Sequence, residues 1–441
     1  MSAGTDLAID NRRVVAIAFP IVLSNATVPL LGAVNTGVVG QLGEAAPIGA
    51  VGLGAIILAS IYWIFGFLRM GTSGLVAQAR GAGNETEGGA HLLRALVIGV
   101  VAGLVLVALH WPLLSLALRL APASQEVETL ARSYLGIRIW GAPATIALYA
   151  ITGWLIAMER TRDVLVIQLV LNGLNILLDL WFVLGLGWGV PGVAVATLIA
   201  EWTGLATGLW FARGAIVKAW TQARGFAQLF AREQIDRLVR LNGDILIRSV
   251  LLQGSFTTFI FLGAGQGDVT LAANQVLLQF LEITAYALDG FAFSAETLVG
   301  QAVGARRKDR LRQSVAISMR WGIGGALLLS LVFWLFGPAI IALLTTSPEV
   351  RTEAARYLPW LAIGPLIGVA SWMYDGIFIG ATRTREMRNA MLVSVAFYAL
   401  LCLTLPLWLG NHGLWAALMG LNLMRGVTMA KLYPRVEASI G

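Results

Sequence analysis

Apolar runs recur along the whole chain, each about 20 residues or longer, which is the length a helix needs to cross about 30 Å of hydrocarbon. Runs of that length and number exclude a soluble fold. Only 12% of the 441 residues are charged and 58% are hydrophobic, whereas an ordinary soluble domain is about 25% charged. The runs are continuous rather than alternating, which argues against a transmembrane barrel. The first run, with Pro20, Asn25 and Pro29, lacks a cleavage site, so the sequence predicts a retained membrane helix and not a removed signal.

Twelve spans are expected, near 14–38, 48–70, 92–118, 134–157, 164–186, 191–212, 239–263, 270–299, 314–341, 357–381, 389–409 and 412–432. An even number puts both termini on one side. Of the 31 Lys and Arg, 25 fall at the termini and in the loops on that side. Arg119, Arg132, Arg138, Arg351 and Arg356 fall opposite, and Arg248 lies within a span. By the positive-inside rule the termini are cytoplasmic.

The chain also repeats itself at an offset of 223. Leu75-Val76-Ala77-Gln78-Ala79 matches Leu298-Val299-Gly300-Gln301-Ala302, and Gly153 matches Gly376. Arg160-Thr161-Arg162-Asp163 matches Arg383-Thr384-Arg385-Glu386. Each unit then holds six helices of like orientation, related by an axis along the membrane normal. The expected fold is an all-α integral membrane protein of two pseudo-twofold-related six-helix lobes. The lobes cover residues 1–213 and 238–441, and a basic, mildly amphipathic cytoplasmic linker covers 214–237. Two such lobes suit alternating access around a site near the midplane.

Ionisable residues within spans are costly there and are functional candidates. In the fifth span Asn172, Asn175 and Asp179 stand at i, i+3 and i+7, on one helix face. A carboxylate beside amides and shielded from water can take up a proton near neutral pH. The other reading is a polar staple between helices. Asn35 of the first span can join this cluster, and Pro20 and Pro29 favour bending of that helix. Glu201, in the sixth span, is a further candidate, with a structural role as its alternative.

In the second half, Asp244 and Arg248 stand at i, i+4 and read as an internal ion pair. Glu282, Asp289 and Glu296 recur every seven residues as an acidic stripe. Asp289 is deep, with Arg248 as a candidate partner, and Glu296 falls toward the solvated cytoplasmic end. Asp375 reads either as cavity-lining or as a structural anchor.

Other chemistries lack their residues. Cys402 is alone, and the three histidines have no metal spacing. No Walker loop, Gly-x-Ser-x-Gly elbow or His-Glu-x-x-His is present, so neither ATP-driven transport nor a common hydrolase is expected. The short non-cytoplasmic loops speak against a membrane-embedded transferase. The net charge of +7 follows loop placement rather than a nucleic-acid surface.

Several segments resemble DinF-like members of the MATE (multidrug and toxic compound extrusion) family. They are Asn25–Gly32 with Val34–Gly40, Leu68–Leu75, Thr284–Ala292, and Asp375–Arg383 followed by Glu386–Asn389. The resemblance runs along nearly the whole chain. It implies twelve helices in two lobes, a bacterial inner-membrane location, no cofactor, and export of amphipathic, often cationic compounds in exchange for protons or sodium. It also implies a coupling site in the N-terminal lobe, where a first-helix carboxylate works with polar residues of the fifth helix. Asn172, Asn175 and Asp179 keep that pattern, but Asn35 stands where the family usually has Asp. Asn copies the shape of a protonated acid and cannot release a proton. Either Asp179 couples alone, or Asn35 fixes a protonated-like state. The rival substrate class is a lipid-linked precursor, carried by flippases of the same superfamily. One deep Arg among several carboxylates argues against such an anion. A monomer is the expected state.

Overall fold

The structure is a computed structural model that describes residues 9–41, 44–120, 123–222 and 229–440, without the side chains of Leu30, Ala33 and Thr36. Among the described residues it is all helix. The helices are α1 (Asn11–Gly40), α2 (Ala45–Ile64), α3 (Phe67–Gly81), α4 (Glu85–Ala108), α5 (His110–Leu120), α6 (Gln125–Arg138), α7 (Ala142–Ala157), α8 (Thr161–Asp179) and α9 (Gly189–Gln222). They continue as α10 (Arg232–Ala264), α11 (Asp268–Gly304), α12 (Lys308–Leu344), α13 (Pro348–Gly380), α14 (Thr384–Leu409) and α15 (Asn411–Ala438).

Ten segments among the described residues are long and apolar enough to span a membrane, when α2–α3, α6–α7 and α8 with the wider π turn Leu180–Gly185 are each read as one. With α1 and α15, of 30 and 28 residues, they correspond one for one to the twelve expected spans. Most helices overrun the apolar stretch at their polar ends. The linker region is helical as far as Gln222 and again from Arg232, and residues 223–228 lie outside the described residues.

The 223-residue repeat is a property of the backbone as well as of the letters. Helices begin at Ala45 and Asp268, Glu85 and Lys308, Gln125 and Pro348, and Thr161 and Thr384, each pair 223 apart. Ser124 and Ser347 cap corresponding helices, accepting from Val127 N at 3.3 Å and Val350 N at 3.4 Å. Helix exits correspond too. Gly83 (φ 73°) and Arg306 (φ 53°) are both left-handed, as are Glu159 (φ 57°) and Thr382 (φ 52°). At the second pair, Arg160 N donates to Leu155 O at 2.8 Å and Arg383 N to Phe378 O at 2.9 Å, closing the same C-terminal loop.

The contacts divide the chain into two units. One contains residues through Val22, Ala77–Gly83 and Arg237 onward; the other contains Leu23–Val76 and Asn84–Asp236. Within the second unit, α7 lies against α3 so closely that a side chain on Gly153 would collide with Arg69 O. Within the first, Gly376 stands in the same relation to Ala292 O, at both positions 223 residues on. Small residues let membrane helices meet backbone to backbone, which explains why these two glycines recur. The first unit also holds an aromatic core in which Phe259 meets Trp415 edge-on at 4.7 Å and Phe280 meets Phe333 at 4.9 Å.

Candidate functional site

α8 starts behind the left-handed Glu159 and an Arg160–Asp163 ion pair of 2.5 Å. From Gln168 to Asp179 one face of the helix is polar for about three turns. Gln168 Nε2 donates to Asn172 Oδ1 at 3.2 Å, and Asn172 Nδ2 donates to Thr27 Oγ1 of α1 at 2.8 Å. Asn175 Nδ2 donates to Thr197 Oγ1 of α9 at 3.1 Å, and that hydroxyl donates on to Val193 O at 2.9 Å. Asp179 ends the face. It is wholly buried, as is Asn175.

Asn35 of α1 lies between Asn175 and Asp179. With its amide nitrogen toward Asp179 it donates to Oδ2 at 2.8 Å and to Leu31 O at 3.2 Å. Turned over, it reaches only Asn175 Oδ1, at 3.4 Å. The first orientation satisfies the amide better and is the one the hydrogen-bond network selects. The second carboxylate oxygen, Oδ1, has no hydrogen-bond partner among the described residues. Beyond Asp179 the helix widens into the π turn, a distortion that often accompanies functional positions. Thus α1, α8 and α9 bring together Asn35, Asn172, Asn175 and Asp179, the four residues expected from spacing and resemblance. What they form is a buried carboxyl held by the Asn35 amide beside the Asn172 and Asn175 amides of its own helix, with one oxygen in a hydrogen bond and one without a partner among the described residues.

Pro20 and Pro29 both lie within α1, which is helical through them; Pro20 is buried and Pro29 exposed. Glu201 is buried one turn beyond Thr197 on α9. Its Oε2 is 2.6 Å from Nη1 of Arg138, which is also buried. Gly141 makes room for it, since a Cβ there would collide with Glu201 Oε2. Arg138 was counted on the outer side, at the start of the span 134–157. Instead α6 carries it inward, and its Nε reaches Tyr134 Oη at 3.4 Å.

The charges of the other unit are paired across helices rather than along one. Asp244 accepts from Arg388 at 2.6 Å and from Thr384 at 3.2 Å, not from Arg248 as the i, i+4 spacing suggested. Arg248 forms an ion pair with Asp375 of α13. Asp375 Oδ2 also accepts from Arg425 Nη2 at 2.7 Å, and Arg425 Nη1 donates to Asn422 at 3.1 Å. Asp375 is therefore an anchor between α10, α13 and α15. Arg425, expected at the solvated end of the last span, is buried. The acidic stripe of α11 shares no single environment: Glu282 is exposed, Asp289 half-buried and Glu296 fully buried, not solvated.

Sequence reasoning missed Thr27, Gln168, Thr197, Arg138 and Arg425. The first three are ordinary polar residues that only tertiary packing selects. The two arginines sit at span ends, where a cation normally reads as a loop charge.

The MatE family model matches residues 20–181 and 245–404. The DNA damage-inducible protein F of Escherichia coli (strain K12) is 42% identical over 419 residues, covering 95% of this chain and 91% of that protein. The probable multidrug resistance protein NorM of Pseudomonas aeruginosa is 25% identical over 459 residues, covering 98% and 92%. Among solved structures, the Vibrio cholerae MATE transporter VcmN in the bent form superposes with a TM-score of 0.84 at 22% identity, covering 98% and 97%. With the family model on both repeats and the E. coli protein along nearly all of its length, the chain belongs to the MATE family of transporters, in its DinF-like branch.

Proposed function

We propose that the chain is a multidrug exporter that exchanges amphipathic, cationic compounds for protons by alternating access, and that Asp179 is the proton site. The observation that carries this reading is the full burial of Asp179, with the Asn35 amide on one oxygen and no hydrogen-bond partner on the other among the described residues. A carboxyl so placed changes charge only when a proton arrives or leaves, and such a change is what coupling needs. The donors around it rearrange with its charge. Asn35 already donates to Asp179 Oδ2, and Asn175 and Thr197 tie α8 to α9; when Asp179 becomes charged, its other oxygen must draw a further donor, which disturbs these contacts. Pro20 and Pro29 are the points at which α1 can absorb that change. The driving force includes about 2.3 kcal/mol per proton for a potential of about 100 mV, with the pH gradient in addition.

The protein acts in the bacterial inner membrane with both termini cytoplasmic, as the 25 Lys and Arg on that side support. It works as a monomer. Efflux of a fluorescent lipophilic cation into everted vesicles tests the reading. Asp179→Asn is expected to abolish the component driven by the pH gradient, and undiminished gradient-driven efflux by that variant overturns the assignment. Asn35→Asp adds a second ionisable group beside Asp179 and is expected to increase the pH dependence.

A further inference from the structure

One face of α11 has no part in the proton site. Gln275, Gln279, Glu282, Tyr286, Asp289 and Phe293 follow one another at steps of four and three residues, so they form one stripe along the helix. Gln275, Gln279 and Glu282 are exposed, and Tyr286, Asp289 and Phe293 are partly so. The side chains of Gln275, Gln279 and Glu282 make no hydrogen bond or ion pair among the described residues. At 1.5 Å per residue the stripe is about 27 Å long, nearly the thickness of the hydrocarbon. Glu282 lies about 18 Å or more from either end of the expected span 270–299, too far for its short side chain to reach the headgroups.

A stripe that faces lipid is apolar, because hydrocarbon satisfies neither a carboxylate nor an amide. Nor does the fold demand polar residues here. At the 223-residue offset the same stripe in the other unit reads Gly52, Ile56, Ala59 and Trp63, which are exposed as well but apolar. The repeat has kept the exposure and changed the chemistry. An exposed polar stripe at this depth is satisfied by water or by a bound solute. It contains two carboxylates and no Lys or Arg, so the solute it complements is a cation. The carboxylates are about 10 Å apart along the axis, and Tyr286 between them offers an aromatic face to the cation or to the body that bears it.

We infer that the α11 stripe lines the water-filled export path, and that Glu282 is a specificity-determining residue that receives the positive charge of the transported compound. This rests on the exporter reading given above and assigns its substrate charge to named side chains. Tyr286 lies against the aromatic body of the compound, and Asp289 offers a second carboxylate nearer the cytoplasmic end. Glu282 is exposed and makes no hydrogen bond or ion pair among the described residues, so its negative charge is available to a solute without breaking any contact of the fold.

The test is pH-driven efflux of ethidium, an aromatic cation, into everted vesicles by the full chain. Glu282→Gln should raise KM by about tenfold or more, as for a lost charged contact, and leave kcat and the melting temperature nearly unchanged. Glu282→Asp, which keeps the charge, should recover most of the loss. An unchanged KM in Glu282→Gln, or a loss that Glu282→Asp does not recover, overturns this inference and leaves the exporter reading standing. If Glu282→Gln does not fold, Gln279→Cys in a Cys402→Ala background keeps both carboxylates and probes the same stripe. Its thiol should react with a water-soluble cationic thiol reagent, and ethidium at ten times its dissociation constant should slow the reaction about tenfold. A thiol that does not react, or that ethidium does not protect, overturns the inference. No gradient-driven ethidium efflux by the unchanged chain overturns the exporter reading and this inference with it.

Discussion

The polar face of α8 and the same face of α14 are one helix written twice, and they have been put to different uses. At the 223-residue offset Asn172, Asn175 and Asp179 become Val395, Tyr398 and Cys402. Tyr398 is buried in the aromatic core and donates to Ser255 O at 3.1 Å, while Val395 and Cys402 pack against that core. The caps, helix starts and close backbone contacts survive the repeat. The carboxylate does not. The deep charges of that unit lie on other helices, with Asp375 clamped by Arg248 and Arg425. The difference separates two ways of burying a carboxylate. One in direct contact with two guanidiniums ties helices together. One whose hydrogen-bond partner among the described residues is a neutral amide, as Asp179 with Asn35, is on the proposed reading the one that exchanges a proton.

The largest effect that tests this contrast is on stability. Asp375→Asn leaves two buried arginines without their carboxylate, and breaking a buried pair in this way costs about 3–5 kcal/mol. A large fall in melting temperature in detergent is expected. Asp179→Asn keeps an acceptor for Asn35 and removes no ion pair, so its melting temperature should change little while pH-driven efflux is lost. If the two substitutions destabilise the protein equally, Asp179 is a structural residue and the contrast fails.

A smaller effect sharpens it. Thr197→Val removes the acceptor of Asn175 Nδ2, and Tyr398→Phe removes the hydroxyl of the residue that replaces Asn175 in the repeat. Each should cost about 1 kcal/mol of stability, the net worth of a typical hydrogen bond. Only Thr197→Val should also move the pH profile of efflux, because only it touches the proton site. Equal pH profiles for the two variants would mean that the amide ladder of α8 does not reach Asp179.

Most of the fold was legible because hydrocarbon imposes one rule on every span: the backbone must satisfy itself as helix, so apolar length alone marks the elements. The helices extend past the apolar runs because polar ends add turns that hydropathy does not see. The Asn172–Asn175–Asp179 face was legible because a period of 3.6 shows which residues of one helix share a side. Partners on other helices were not. Asp244 and Arg248 are close along α10, but each side chain reaches a different neighbour, and nothing in a single helix specifies which. Arg138 and Arg425 were misplaced for a related reason. A lone cation at a span end has the same signature whether it faces water or turns inward to a carboxylate, and only the fold supplies Glu201 or Asp375.

The smallest expected effect concerns the part of the repeat that did survive, the helix exits. Gly83 and Arg306 hold the same left-handed conformation, yet only glycine is free of strain there. For an L-residue that conformation costs about 1–2 kcal/mol. Replacing it by glycine recovers this but loosens the unfolded chain by about 0.5–1 kcal/mol. Arg306→Gly should therefore stabilise the protein by no more than about 1 kcal/mol, and Gly83→Arg should destabilise it by a similar amount, both read as opposite shifts in melting temperature. A Cβ at Gly83 would meet nothing within 4 Å, so crowding at the first side-chain atom does not supply the difference. If Arg306→Gly lowers the melting temperature instead, the arginine contributes an interaction at that exit which its counterpart lacks, and the two repeats differ in their scaffold as well as in their chemistry.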